Sequence, residues 1–291
     1  MIVIARSYGQ LGNRLFLYAH MIAAARHHGV SLANPCFAEY ASLFPATADD
    51  LWCRYPRVSP LGPPPSARRR KWLAKSLYSL ARNLHRAGLR RYPCHILRLR
   101  GDESCDLAGE KFAHLARHRR HLLTLGWLFR SEPLLREHAH AIREHFQIEP
   151  QRQARVDRLL ASIRQQADYV VGVHIRHGDY ATYLGGKYFF STDQYVRAMR
   201  DIVAQLPTKR VAFLVCSNAP MHRHDFDKLN IHFGPGHMVE DMYGFAKTDL
   251  LFGPPSTYTG WASFMGSVPL VEMTRSDGPI DITAQQSLVA A

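Results

Sequence analysis

The segment VVGVHIRHGDYATY, residues 170–183, joins an apolar run to a group of charged side chains. The apolar run is typical of a buried strand, and we predict a strand over residues 169–175. Four ionisable residues stand at its end: His174, Arg176, His177 and Asp179. Because the interior of a sheet cannot hold such groups without partners, the strand is predicted to end at a polar site.

The segments after this strand alternate between helix and strand. The apolar spacing predicts, in the second half of the chain, helices over residues 191–206, 241–249 and 256–266, and strands over residues 210–218, 250–254 and 268–273. Ser191 or Thr192 is the expected N-cap of the first of these helices. Alternation of this kind predicts a parallel sheet with helices on both faces.

The first half of the sequence opens in the same way. Residues 1–6 are predicted to form a strand, residues 7–13 a glycine loop and residues 14–29 a helix. This order of strand, loop and helix is the usual start of an α/β unit.

A proline-rich segment and a basic helix follow. Residues 45–67 are predicted to be loop because they contain six prolines: Pro45, Pro56, Pro60, Pro63, Pro64 and Pro65. Residues 68–91 are predicted to form a basic helix with one apolar side, made by Trp72, Leu73, Leu77, Leu80 and Leu84. With a boundary near residue 150, the predicted fold class is α/β with two domains, residues 1–150 and 151–291.

The composition is that of a globular protein with reduced thiols. Hydrophobic residues make up 46% of the 291 residues, and no run approaches the length of a membrane-spanning helix. The opening residues are too short for the apolar core of a signal sequence. The five cysteines are odd in number and form no C-x-x-C pair, which favours a cytoplasmic protein and argues against structural zinc.

The formal net charge of +13 is unevenly distributed along the chain. Residues 1–150 carry an excess of 12 positive charges, whereas residues 151–291 carry an excess of one. Such a field attracts anions in general, including nucleic acid, phosphorylated substrates and anionic membrane surfaces. The charge alone does not choose among these partners.

Seventeen histidines raise the question of a metal site. Only HAH at residues 138–140 and HRH at residues 222–224 resemble ligand clusters, and flanking charged residues indicate that both lie at the surface. The one D-x-D motif, at residues 225–227, lies in a polar stretch beyond a strand end, where a solvated turn is favoured. We therefore predict that no metal is bound.

Polar residues follow three segments of the second half at points where strands are predicted to end. These residues are Arg176, Gly178, Ser217, Asn218, Ser256 and Thr257. Arg176 can donate forked hydrogen bonds to a phosphate, and Ser256 starts a helix whose free N–H groups and dipole favour an anion. Each residue alone also fits a structural role, as a surface ion pair or a helix cap. Because ligands bind beyond the carboxyl ends of parallel strands, the group together predicts a nucleotide-diphosphate site.

Four segments of the chain are similar to a known family. They are GQLGNRLFLYAHMIAAA (9–25), VGVHIRHGDY (171–180), CSN (216–218) and DMYGFAKTDLLFGPPSTYTGWASFMG (241–266). In order and spacing they resemble the alpha-1,2-fucosyltransferases of glycosyltransferase family 11, and more distantly other fucosyltransferases with an H-x-R-x-G-D-like motif. Residues 45–150 carry no such resemblance.

The resemblance implies a GT-B type glycosyltransferase with two Rossmann-like domains facing a cleft. GDP-fucose would bind mainly to the second domain, and a glycan or lipid-linked oligosaccharide acceptor mainly to the first. It also implies inversion by single displacement without a metal, so that protein charge, expected from Arg176, must stabilise the leaving diphosphate. Ser256 and Thr257 would hold the β-phosphate, while Gly12 and Asn13 would reach across the cleft to the donor or the acceptor.

The sequence departs from the family pattern at three places, and it leaves the general base open. The departures are His177 where a basic residue is common, Tyr258 in place of phenylalanine, and Gly260-Trp261 in place of a tryptophan pair. His177 makes the charge beside Arg176 depend on pH. By position, Asp179, His174 and His177 are candidate bases. Asp179 fits an ion pair with Arg176 equally well, and His174 fits a packed position under the loop. A further alternative is that no side chain dominates, because the cationic transition state of fucosyl transfer tolerates weak base assistance.

Three alternatives remain, and the first two rest on the basic first half of the chain. A nucleic-acid-binding protein would interleave aromatic and basic residues, for which Trp72, Tyr78 and Tyr92 are available. The helical spacing, however, predicts that Trp72 packs within the protein. The basic helix of an enzyme could instead rest on the inner face of an anionic membrane. Finally, the donor could be another nucleotide sugar, because residues that bind the phosphates do not distinguish one sugar from another.

Overall fold

The computed structural model describes residues 1–59, 62–89, 91, 94–274 and 280–283. Pro60 and Tyr92, which entered the sequence-based interpretation, lie outside the described residues. The chain divides into two compact units, Met1–Glu149 and Pro150–Ala291. Both contain a mainly parallel sheet with helices, so the predicted α/β class is confirmed.

The first unit contains a five-stranded sheet and a two-stranded ribbon. Its strands are β1 (Ile2–Ile4), β2 (Leu32–Ala33), β3 (Arg54–Tyr55), β4 (His95–Arg98), β5 (Ser104–Asp106), β6 (Leu122–Leu125) and β7 (Leu128–Arg130). The larger sheet has the order β3-β2-β1-β6-β4, and only the β2–β3 pair is antiparallel. The ribbon pairs β5 with β7. The four strands that pair in parallel, β2, β1, β6 and β4, have their carboxyl ends at the same edge of this sheet.

Six helices surround these strands in the described part of the first unit. They are α1 (Leu11–His27), α2 (Pro45–Ala48), α3 (Ala67–Arg86), α4 (Glu110–His118), α5 (Glu132–Glu137) and α6 (Ala139–His145). The predicted loop over residues 45–67 was wrong in part, because it contains α2 and β3. Pro45 stands in the first turn of α2, where its missing N–H group leaves no helical hydrogen bond unmade.

Helix α3 is the predicted basic helix, and its buried side matches the predicted one only in part, since Leu77 and Leu84 pack against the core. Leu77 and the fully buried Ala81 pack on the sheet, whereas Trp72 is 69% exposed and Leu80 is 53% exposed. The prediction that Trp72 packs within the protein was therefore wrong. The helix is rotated so that Arg70 is buried, where its guanidinium donates to backbone carbonyl oxygens at the end of α2 and just after it. No helix among the described residues is long and apolar enough to cross a membrane.

The second unit is built on a five-stranded, fully parallel sheet. Its elements in chain order are α7 (Pro150–Arg164), β8 (Tyr169–Ile175), α8 (Thr192–Ala204), β9 (Val211–Ser217), β10 (Ile231–Phe233), α9 (Met238–Phe245), β11 (Leu250–Gly253), α10 (Thr257–Gly266) and β12 (Leu270–Glu272). The sheet order is β10-β9-β8-β11-β12. Counted from β8 this is 3-2-1-4-5, the order typical of Rossmann-like sheets. Its switch point lies between β8 and β11, and the sequence pattern had not predicted β10.

Candidate functional site

The carboxyl ends of β8 and β11 meet at the switch point of the second sheet. Loops that follow the two strands diverge at such a point and leave a crevice for ligands. Arg176 follows β8 directly, and Ser256 stands between β11 and α10. Tyr180 connects the two loops: its hydroxyl donates to the Pro255 carbonyl oxygen at 2.9 Å, and its ring centre lies 5.0 Å from the Arg176 guanidinium carbon.

Arg176 forms a forked ion pair with Asp179. Its Nε and Nη2 atoms donate to the two carboxylate oxygens at 3.0 and 2.9 Å. The arginine side chain is 16% exposed and that of the aspartate 53% exposed. The hydrogen bonds from Arg176 are the main reason that the pKa of Asp179 is lowered. Of the roles left open for Asp179, the ion pair is therefore the one seen, and the charge of Arg176 is partly balanced.

Asn218 holds the loop that carries Arg176. Its Oδ1 accepts the backbone N–H of His177 at 2.9 Å, and its Nδ2 lies 3.5 Å from an Asp179 carboxylate oxygen. A Cβ atom on Gly178 would lie 2.5 Å from this amide nitrogen, so the Asn218 side chain lies close against the Gly178 backbone. The predicted residues at the ends of β8 and β9 are thus in direct contact.

The predicted serines act as local caps in this structure. Ser217 Oγ accepts the N–H of Ala219 at 3.0 Å, and Ser256 Oγ accepts the N–H of Tyr258 at 3.1 Å as the N-cap of α10. Thr257 is the first residue of α10 and is partly exposed. A hydroxyl that accepts one hydrogen bond can still donate its own proton to a ligand. The positive end of the α10 dipole adds to the attraction for an anion at this position.

His174 is buried beneath the loop that follows β8. It is 5% exposed, and its ring centre lies 5.0 Å from that of Tyr258 and 6.2 Å from that of Phe245. Burial and, to a lesser extent, the charge of Arg176 lower its pKa to about 3. A neutral imidazole with so low a pKa is a weak base at physiological pH. The surroundings of His174 therefore favour the packed role over the role of general base.

Asp241 was not singled out from the sequence, although it lies close to the same edge of the sheet. It is 8% exposed in the first turn of α9, where its Oδ1 accepts the N–H of Gly236 at 3.0 Å. Burial is the main cause that raises its pKa to about 6. A Cβ atom on Gly234 would lie 2.5 Å from both this carboxylate and Cys216 Sγ, so Asp241 packs directly after β9 and β10. An acidic residue in the first turn of a helix after a strand was the available signal.

Gly12 and Asn13 lie in the first unit, in the first turn of α1. Gly12 is buried and Asn13 is partly exposed. Gly9 has a φ of +58°, and a Cβ atom there would lie 2.0 Å from Asn13 Nδ2. Arg14 Nε donates to the Gly9 carbonyl oxygen at 3.1 Å. These contacts close a compact turn, which explains why α1 begins at Leu11, three residues before its predicted start.

The two carboxylates of the D-x-D motif have separate partners. Asp225 accepts the backbone N–H of His222 at 2.7 Å, and Asp227 pairs with Arg200 at 2.8 Å. Phe226 between them is fully buried. This arrangement is the turn favoured by the sequence and does not bring the two carboxylates to one ligand.

One group of three possible metal ligands occurs among the described residues. His27, Glu137 and His138, at the ends of α1 and α5, have ligand atoms within 4.8 Å of one another. His138 belongs to the HAH segment, but its pairing with His27 could not be foreseen because the two are far apart in the chain. None of the three belongs to the predicted diphosphate site.

Comparison with known proteins places the fold among fucosyltransferases. No family model matches the sequence, and no curated protein matches it significantly. A mutant of Arabidopsis thaliana FUT1 in complex with GDP is 14% identical, with a TM-score of 0.57 over 96% of this chain and 72% of that one. Fucosyltransferase NodZ from Bradyrhizobium is 18% identical, with a TM-score of 0.54 over 93% of this chain and 95% of that one. POFUT1 in complex with GDP-fucose is 11% identical, with a TM-score of 0.55 over 92% and 94%. The predicted GT-B type fold class is confirmed, and the chain has the α/β fold of these fucosyltransferases.

Proposed function

We propose that this protein is an inverting, metal-independent fucosyltransferase that moves L-fucose from GDP-fucose to a glycan hydroxyl. The observation that carries the proposal is Arg176 at the switch point of a Rossmann-like sheet, facing the loop that begins α10. Its support is a fold similar to proteins crystallised with GDP or GDP-fucose. The assignment of the acceptor atom to O2 of a galactoside rests on the sequence resemblance alone, since NodZ is an alpha-1,6-fucosyltransferase.

The proposed chemistry assigns the main charge to Arg176. When the bond between fucose and GDP breaks, negative charge develops on the diphosphate, and a guanidinium can stabilise it in place of a metal ion. The β-phosphate oxygens would take over the fork that Asp179 occupies in this structure. Ser256, Thr257 and the first N–H groups of α10 would bind the remaining oxygens. Asn218 would keep the Arg176 loop in place.

We assign the acceptor to the first unit, with Gly12 and Asn13 as residues that would contact the donor or the acceptor. The acceptor would be a glycan or a lipid-linked oligosaccharide, and a phosphate in the lipid linkage would suit the cationic character of this unit. The second candidate function is transfer from another nucleotide sugar, because no residue assigned above contacts the sugar ring.

A donor screen combined with one substitution tests the proposal. GDP release from GDP-fucose should exceed release from GDP-mannose when galactosides are offered as acceptors. The change Arg176→Ala should lower this activity by about 10²-fold or more, the scale of losing one charge-stabilising group. Arg200→Ala is the matched control, because Arg200 also pairs with an aspartate of the second unit but lies outside the site. Near-normal activity of folded Arg176→Ala would refute the role of Arg176.

We also propose that the enzyme works in the cytoplasm as a peripheral protein on an anionic membrane. The support is that Trp72 is exposed on the basic helix α3, beside Arg68 and Lys75. An exposed indole among basic side chains suits the boundary between lipid headgroups and acyl chains. Flotation with phosphatidylglycerol vesicles should recover the protein at low salt, and Trp72→Ala should reduce recovery. Absence of flotation at low salt would end this proposal.

A further inference from the structure

A basic pocket lies at the carboxyl ends of β1, β4 and β6 in the first unit, outside the proposed donor site. Its volume is about 180 Å³. Four arginines line it: Arg6, Arg82, Arg86 and Arg98. Arg6 follows β1, Arg98 ends β4, and Leu125 of the lining ends β6. The pocket therefore opens at the carboxyl ends of parallel strands, the edge at which α/β sheets bind their ligands.

Aromatic rings orient two of these arginines. The guanidinium carbon of Arg6 lies 5.5 Å from the ring centre of Tyr78 and 4.8 Å from that of Tyr8. The guanidinium carbon of Arg82 lies 5.8 Å from the ring centre of Tyr78. Contacts of this kind hold a cation over the ring face and leave its N–H groups available to a ligand. The ring of Tyr78 thus contacts guanidinium groups from two elements, Arg6 after β1 and Arg82 on α3.

The four pocket arginines lack a carboxylate partner among the residues that the structure describes. Within the described part of the chain, none of the four forms an ion pair with a carboxylate, whereas Arg54 and Arg176 each form one with an aspartate. Like charges gathered in one concave site repel one another, so the arrangement costs stability unless an anion enters. Four guanidinium groups provide more hydrogen-bond donors than a single carboxylate can accept from. A phosphate has more oxygens and suits this number of donors and their forked geometry.

We infer that this pocket binds a phosphate or pyrophosphate group carried by a saccharide acceptor. The size of the pocket suits one compact anionic group and does not suit an extended nucleic-acid strand. Binding of the anion follows from the pocket itself. That the anion belongs to the acceptor rests on the proposed function, which assigns the acceptor to this unit.

The first test uses inorganic pyrophosphate as the probe. It is titrated calorimetrically into the full-length Arg176→Ala variant, so that the donor site does not contribute its main cation. Adding Arg82→Gln and Arg98→Gln should weaken binding by about tenfold or more at low salt, because charge-assisted hydrogen bonds are lost. The control pair Arg68→Gln and Arg69→Gln removes the same charge from α3 outside the pocket and should change affinity by no more than about twofold. All substituted side chains except Arg176 are exposed, and circular dichroism verifies folding.

If both double variants lose pyrophosphate affinity equally, the anion responds to the general positive charge of the unit and not to the pocket, and the inference is overturned. Absence of pyrophosphate binding in the Arg176→Ala background would overturn it as well. Because these are binding measurements, a failure of the GDP-fucose assay would leave them unaffected, and the two proposals fail separately.

The second test identifies the carrier of the phosphate. Galactose 1-phosphate should bind the wild-type protein with GDP present in excess, galactose should not, and the Arg82→Gln, Arg98→Gln protein should lose the binding. If galactose 1-phosphate does not bind, while the same pair abolishes binding of phosphatidylglycerol vesicles or of single-stranded RNA, the saccharide assignment is overturned. The vesicle result would identify a lipid headgroup as the source of the anion, and the RNA result a nucleic acid.

Discussion

The forked contact between Arg176 and Asp179 predicts an effect of Asp179→Asn on GDP affinity. In the free protein the two carboxylate oxygens of Asp179 accept hydrogen bonds from the same N–H groups of Arg176 that are proposed to bind the diphosphate. GDP must displace this carboxylate before it can use the same fork. Removing the charge of Asp179 removes the competitor, so the substitution should tighten binding of GDP.

The size of this effect follows from the exposure of the pair. Asp179 is 53% exposed, and the interaction is screened by solvent. Pairs of this kind contribute about 0.2–1 kcal/mol, which corresponds to an increase in GDP affinity of about 1.4- to 5-fold. The pKa of Asp179 is lowered by Arg176, so its carboxylate stays charged through the neutral range and the effect should not depend on pH there.

Isothermal titration with GDP measures the effect, and Asp227→Asn is the matched control. Asp227 is 63% exposed, pairs with Arg200 at 2.8 Å and lies outside the site. Both substitutions change the net charge equally, so tighter binding in both would reflect the general field. Unchanged or weaker binding in Asp179→Asn alone would refute the competition and would indicate that Asp179 holds Arg176 in its binding position.

Two further predictions concern stability. Gly266→Ala should lower the free energy of unfolding by about 1–3 kcal/mol, because the added Cβ would lie 1.9 Å from the Ala246 carbonyl oxygen; urea denaturation measures this, and a wild-type midpoint would contradict it. Burial lowers the pKa of His20 to about 3, of His145 to about 4 and of His174 to about 3. In the unfolded chain these histidines bind a proton near pH 6.5. The free energy of unfolding should therefore be highest above that pH and should fall as the pH is lowered toward 4. The expected loss is about 1.4 kcal/mol per pH unit for each histidine. Guanidinium denaturation at pH 7 and pH 5 tests this, and equal stabilities would contradict it.

Secondary structure could be predicted where one pattern dominated the local sequence. Strand β8 has its predicted bounds because seven residues without a charge are followed at once by Arg176. The predictions failed where packing with distant residues decided the outcome. Burial of Arg70 rotates α3 and exposes Trp72. The carbonyl groups that accept hydrogen bonds from Arg70 lie outside the helix, so the apolar spacing within the helix could not predict this rotation. Similarly, β3 forms only because β2 offers it a partner.

The candidate site could be predicted as a set of strand ends but not as a set of contacts. Arg176 and Asn218 were foreseen because each follows a recognisable strand. The bridge made by Tyr180 and the buried carboxyl of Asp241 were not foreseen, because both depend on how loops of different strands pack together. The basic pocket of the first unit was visible only as an uneven charge distribution, since its arginines come from three separate segments of the chain.

The structure also changes the question of the general base. His174 is buried and neutral, and Asp179 is occupied by Arg176, so neither is poised to take a proton in the free protein. His177 Nε2 lies 2.9 Å from the carbonyl oxygen of Phe190, which can only accept, so Nε2 carries a proton and donates it to this oxygen. If the diphosphate takes Arg176 from Asp179, donor binding itself releases a carboxylate at the end of β8. A carboxylate released in this way would be available to take the proton of the acceptor hydroxyl only while the donor is bound, so donor binding and proton removal would be coupled. If this exchange occurs, Asp179→Asn should affect donor binding and transfer in opposite directions. GDP should bind more tightly, and fucose should be transferred more slowly.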